Sequence, residues 1–143
     1  MISVNANGTL QHWHTTSGKL LNTIFEGELI ELLSVDYKPD GTMFVTGASD
    51  CIVRVYDETT RKLRAELTGG GTGEPGHSNK VFAVKFDKDD ENMIISGGWD
   101  NSVKIWDLRV GSPVRSIFGP FICGDALDIH DGYILTGSWR GEN

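Results

Sequence analysis

His77, Ser96 and Asp100 are the three residue types of an acyl-transfer triad, in which a carboxylate orients a base and the base activates a hydroxyl. That chemistry needs the hydroxyl exposed beside donors for an oxyanion. Ser96 instead falls inside an apolar run, Met93 to Gly97, that reads as a strand, so no catalytic residue is assigned. Gly71-Thr72-Gly73-Glu74-Pro75-Gly76 spells G-x-G-x-x-G, and Gly71 to Ser78 has the outline of a phosphate-binding loop with His77 in the lysine's place. Both motifs require a helix immediately afterwards, whose first amides hold the phosphate. The next segment is Val81 to Phe86, rich in β-branched and aromatic residues and strand-like; Glu74 repels phosphate and Pro75 removes an amide. The expectation is an enlarged, flexible loop.

His12 and His14 share one side of a strand, yet two imidazoles without a third His or a Cys-x-x-Cys do not define a zinc site. The acidic run Asp87, Asp89, Asp90 and Glu91 lacks the glycine and terminal glutamate of a calcium loop and reads as a solvated turn. His130-Asp131 is a solvent-facing turn. No metal and no cofactor are expected.

The elements that hold these residues repeat. Gly97-Gly98-Trp99-Asp100-Asn101-Ser102-Val103-Lys104-Ile105-Trp106-Asp107 aligns without gaps on Gly47 to Asp57. The match covers the glycine, the turn aspartate, the alternation and the closing aromatic-Asp pair. Ile2 to His14 fits the same frame, and Ile134 to Arg140 repeats its first half. A self-similar period of ~40–45 residues with four short strands per unit marks a propeller blade. The predicted boundaries are repeat 1 at about 1–26, lacking its inner strand, and repeat 2 at about 27–69. Repeat 3 runs from about 77 to 119, and a truncated repeat 4 from about 120 to 143. The fold class is all-β: four-stranded antiparallel blades in an open segment, too short to close a ring by itself. The chain therefore reads as a piece of a longer propeller, with exposed strand edges that invite association.

Tyr56-Asp57 and Trp106-Asp107, with Gly76-His77 upstream of the latter, resemble the GH…WD frame of WD-repeat β-propellers. The resemblance covers nearly the whole chain; it is strongest in repeats 2 and 3, and Trp13-His14 departs from it in repeat 1. It implies one hydrogen-bonded chain per blade, carried in repeat 3 by His77, Ser96, Asp100 and Trp106. Such a chain is chemically sensible, because a buried indole N–H needs an acceptor and a carboxylate fixes an imidazole's tautomer. Repeat 2 offers Thr46, Asp50 and Tyr56 but has Glu26-Gly27 where Gly-His belongs. Repeat 4 has Thr136, with Arg140 in the aspartate's place. Those blades are expected to be held mainly by packing, leaving the third the most rigid.

The resemblance also implies that the face carrying the turns after the second strands docks partner peptides. Trp99, Trp139 and Arg140 sit there and form the candidate contact patch. The competing reading is that each indole only covers its neighbouring loop.

The composition fits an interaction module. Of 143 residues, 23% are charged and the formal net charge is −7, which disfavours nucleic-acid backbones and anionic membranes as main partners. No apolar run approaches the ~20 residues that span a bilayer, and the first residues lack signal-peptide character. Two isolated cysteines, Cys51 and Cys123, suit a reducing compartment, so the expected location is cytoplasmic with the nucleus open. The sequon Asn7-Gly8-Thr9 falls on a hairpin turn and is expected to stay unmodified. The expected function is a non-catalytic scaffold binding other proteins or peptides. The alternatives are an enzyme built around a propeller channel and a half-propeller that closes as a homodimer.

Overall fold

The computed structural model describes residues 1–70 and 73–139, which form strands and turns only. Thirteen strands make four antiparallel sheets. The first holds β1 (Ile2–Val4), β2 (Thr9–Trp13) and β3 (Leu20–Phe25). The second holds β4 (Leu32–Tyr37), β5 (Met43–Ala48), β6 (Val53–Asp57) and β7 (Leu63–Leu67). The third repeats that order with β8 (Val81–Phe86), β9 (Met93–Gly98), β10 (Ser102–Asp107) and β11 (Pro113–Phe118). The fourth pairs β12 (Leu127–His130) with β13 (Tyr133–Thr136). This is an open propeller segment of meandering blades.

Local chemistry sets the turns. After β5 and β9 the chain needs a left-handed residue, supplied by Cys51 (φ 70°) and Asn101 (φ 58°). Asn tolerates this conformation; Cys does so at a cost. The aspartates that end β6 and β10 cap the next turn: Asp57 Oδ1 accepts the Thr60 N–H at 2.7 Å and Asp107 Oδ1 accepts the Arg109 N–H at 2.9 Å. A register shift recurs at Trp13, Tyr56 and Trp106, so the third strand of each of the first three blades bends at its aromatic residue.

Each core belongs to two blades. Leu10 packs with Leu32, Phe44, Ala48 and Tyr56 between blades one and two. Val45, Val53, Val55 and Leu67 meet Val84, Phe86, Ile94 and Trp106 between two and three. Ala83, Ile95 and Val103 meet Ile122, Leu127 and Ile129 between three and four. Strand alternation makes this work, since Trp106 turns back to blade two while Val103 points on to blade four. The repeat's glycine has a packing reason. A Cβ on Gly47 would lie 2.9 Å from Val81 Cγ1, and one on Gly97 would lie 2.7 Å from Ile122 Cγ1. Each glycine lets the next blade approach.

Candidate functional site

Blade three brings His77, Ser96, Asp100 and Trp106 into one chain of bonds. The Trp106 indole N–H donates to Ser96 Oγ at 2.7 Å. Ser96 Oγ lies 2.6 Å from His77 Nε2, and His77 Nδ1 lies 2.7 Å from Asp100 Oδ2. With a neutral imidazole the protons run one way: indole to hydroxyl, hydroxyl to Nε2, Nδ1–H to carboxylate. Asp100 Oδ2 also takes the Ser78 N–H, and Oδ1 takes the N–H and hydroxyl of Ser102. Trp106 and Ser96 are fully buried. A hydroxyl already committed to two partners and sealed from solvent is no nucleophile.

Burial works against the Asp100 charge, but the His77 bond and charge outweigh it and hold the carboxyl down at about 2. A depressed folded value means the stabilisation is complete above the unfolded carboxyl's ordinary range and fades as pH falls toward 2. Roughly 2 kcal/mol of stability is therefore expected to disappear between about pH 4 and 2. Asp100→Asn should flatten that segment of a pH-stability profile measured by urea denaturation.

Blade two solves the same problem with other residues. Beside the packed core expected from the sequence, Arg54 is only 4% exposed and gathers acids around it. Its guanidinium donates to both Asp50 oxygens at 2.6 and 3.1 Å, with Glu66 at 3.2 Å and Glu26 at 3.5 Å. Tyr56 is buried beside Thr46 and Glu26, its hydroxyl short of hydrogen-bond geometry. Burial first, and the adjoining Glu26 carboxylate second, push that phenol well up. Thr46, Asp50 and Tyr56 thus occupy the places of Ser96, Asp100 and Trp106, but an arginine replaces the imidazole. Glu26, which stands beside the histidine's place, supplies one of the acids.

Blade one keeps a remnant. Trp13 donates its indole N–H to Ser3 Oγ at 2.9 Å, ten residues back, the separation of Trp106 from Ser96. His12 and His14 do not converge: His12 Nε2 lies 3.2 Å from Glu58, while His14 Nδ1 meets Ser17 Oγ at 2.8 Å. Tyr37 also donates to Glu58, at 3.3 Å; burial first and that carboxylate second raise its phenol to about 12.

Each of the inner-strand charges Asp36 and Lys85 has a partner. Asp36 accepts the Phe86 N–H at 2.8 Å across the blade boundary, and Lys85 lies 3.3 Å from Asp125. Burial pushes the Asp36 carboxyl up, against the Phe86 bond and the nearby Lys85 charge.

The acidic hairpin caps itself, with Asp87 and Asp90 accepting the N–H groups of Asp89 and Asn92. His130 is exposed and sits 3.5 Å from Asp131. Among the described residues no three His, Cys, Asp or Glu side chains assemble to hold a metal.

Gly71 and Thr72 of the glycine-rich motif lie outside the described residues. The described part is a hydrogen-bonded excursion between blades two and three. Gly69 bridges to Pro75, and Glu74 accepts the Ser116 hydroxyl at 2.5 Å. Strand β8 comes next in the chain, so no helix end is there to hold a phosphate.

Trp99 is half-buried and stacks on Phe82 (ring centroids 4.9 Å apart) and near Phe121 (6.0 Å), with Lys80 Nζ 5.8 Å from its centroid. Glu31 holds that ammonium at 2.5 Å. Trp139 is 74% exposed, and its backbone N–H bonds the Phe121 carbonyl at 2.9 Å, which ties its segment to the entry of the fourth blade at the same end as Trp99. Trp99 therefore does cover its neighbouring loop, whereas Trp139 projects. Arg140 lies outside the described residues.

Known proteins show the same frame. Autophagy-related protein 16 of Arabidopsis thaliana is 26% identical over 134 residues, covering 90% of this chain and 25% of that protein. The U3 small nucleolar RNA-associated protein 21 homolog of Schizosaccharomyces pombe is 25% identical over 123 residues, 86% of this chain and 12% of that one. The chain thus spans a quarter or less of these relatives. The crystal structure of RRP9 WD40 repeats superposes with a TM-score of 0.70 at 20% identity, covering 82% of this chain and 34% of that one. The pattern described as WD domain, G-beta repeat matches residues 18–57 and 72–107, more than half of the sequence, and the chain belongs to that family.

Proposed function

We propose that the chain is a non-catalytic interaction module that docks a protein or peptide partner inside a larger assembly. One observation carries this reading. The residues that could do acyl transfer are consumed in a buried structural network, while the aromatic rim of Trp99, Phe121 and Trp139 is presented at a blade end. Two of the relatives are named for autophagy and for association with a small nucleolar RNA, which supports membership of assemblies. The acidic balance argues that this chain meets protein rather than phosphate backbone in them. A reducing compartment, cytoplasm or nucleus, suits the free thiols of Cys51 and Cys123.

Trp139→Ala is the clean test, because the side chain supports no core. Loss of a genuine interface anchor costs ~2 kcal/mol, so partner capture should fall about thirtyfold with the melting temperature unchanged. Trp99→Ala should weaken capture too, with some loss of stability from its stacked position. Capture profiles that do not change on Trp139→Ala would remove the rim from consideration.

A second reading, self-association, has its own observation. The free face of the fourth sheet exposes Tyr133 (81%) and Leu135 (75%), and the first sheet exposes Leu21 and Phe25. Light scattering of the pure chain should then report dimers that Tyr133→Lys with Leu135→Lys dissolves. A clean monomer at all concentrations ends this reading.

A further inference from the structure

The two ends of the blades carry different charge. At the end bearing the β5–β6 and β9–β10 turns and the connections between blades lie Glu28, Glu31, Asp50, Glu74 and Asp125. Lys80 is the only lysine or arginine among the described residues of those loops. The opposite end bears Lys19, Lys38, Arg61, Lys62, Lys88 and Arg109 among its acids. The acidic end is also the end with the aromatic rim.

Lys80 shows what that end offers a cation. Its ammonium sits 5.8 Å from the Trp99 ring centroid while Glu31 takes a hydrogen bond at 2.5 Å. An aromatic face and a carboxylate together hold one positive charge. The neighbouring connection has the same two parts, and among the described residues no lysine or arginine lies over the Trp139 ring. Trp139, whose backbone N–H bonds Phe121, is 74% exposed, and the Asp125 side chain is 72% exposed, met among the described residues by Lys85 from the inner strand at 3.3 Å. Backbone bonds from Gly137 to Ala126 and from Trp139 to Phe121 tie the two segments together.

We propose that this end binds an extended basic segment of a partner protein, one arginine of which stacks on Trp139 and is met by Asp125. Glu28 and Glu31 bind further positive side chains along the segment. Arginine is favoured over lysine because a planar guanidinium stacks on an indole and forks onto a carboxylate, which a compact ammonium cannot do. This inference rests on the reading of the chain as an interaction module and names the chemistry of its partner.

The test titrates the full chain with fluorescent hexa-arginine, hexalysine and hexaglutamate, read by anisotropy at near-physiological salt. Hexa-arginine is expected to bind, hexalysine more weakly, and hexaglutamate not at all. Trp139→Ala and Asp125→Asn should each weaken hexa-arginine about fivefold, and Trp139→Phe should restore most of the loss. Asp89→Asn with Asp90→Asn, at the opposite end, should leave affinity unchanged. Equal loss from that control pair, or none from Trp139→Ala, overturns the proposal, because the peptide would then be reading net charge alone. If partner capture still depends on Trp139 while hexa-arginine does not bind, the module stands and its partner is not basic.

Discussion

Trp106→Ala is expected to cost about 4 kcal/mol, a large share of the roughly 5–15 kcal/mol that stabilises an ordinary domain. The indole is fully buried, fills the interface between blades two and three, and touches residues from both. Truncation opens a cavity that strands on two separate sheets cannot close together. Loss of the ring also strands Ser96 Oγ without its donor. Trp106→Phe separates the two effects, keeping most of the volume but removing the N–H, and should cost about half as much. Ser96→Ala leaves the indole N–H and His77 Nε2 unpaired at once and should cost about 2 kcal/mol. Urea midpoints for the three variants check the order. A Trp106→Ala midpoint no lower than that of the exposed Trp139→Ala would show that the interface does not depend on this ring.

Arg54→Ala is the second large effect, about 3–5 kcal/mol. The guanidinium, itself almost closed to water, lies among Asp50, Glu66 and Glu26, so its removal leaves several carboxylates facing one another. Arg54→Lys should rescue little, because an ammonium cannot fork onto both Asp50 oxygens. The pH dependence supplies a distinct signature. Crowded carboxylates without their cation hold protons more tightly folded than unfolded, so the Arg54→Ala protein should gain stability as pH falls through the carboxylate range. Asp100 is kept in the variant, so both proteins lose its contribution below about pH 4, and the signature is the difference between the two profiles. A variant whose profile simply parallels the parent's would mean that the acids relax into solvent.

The two sites differ in how openly the sequence displays them. In blade three every partner has its customary type, and the ten-residue separation of Ser96 and Trp106 is a strand-to-strand distance across one hairpin. In blade two the turn aspartate and the aromatic are visible, but nothing local says that Arg54 folds inward. Alternation puts its side chain on the face of Tyr56, yet an arginine on a strand ordinarily reaches solvent. Its burial is compensated by the fork onto Asp50, and Glu26 from one connection and Glu66 from the neighbouring strand bring further negative charge beside it. The acidic hairpin at Asp87 to Asn92 is the opposite case, since its side chains cap their own backbone within two residues.

The aromatic rim divides the same way. Trp99 and Trp139 hold equivalent places in the repeat, and sequence offers no ground for treating them differently. The structure stacks Trp99 between Phe82 and Phe121 and leaves Trp139 projecting, because Phe82 comes from the inner strand and Phe121 from the entry to the next blade.

Period, strand alternation, turn residues and the glycines were thus determined by the sequence itself, since each acts over a few residues and carries its meaning in its own spacing. The buried arginine, the staple from Asp36 to Phe86 and the fate of each indole were decided only by the stacked sheets. They depend on side chains about twenty to fifty residues apart meeting across a blade or a blade boundary, and such meetings have no period to read.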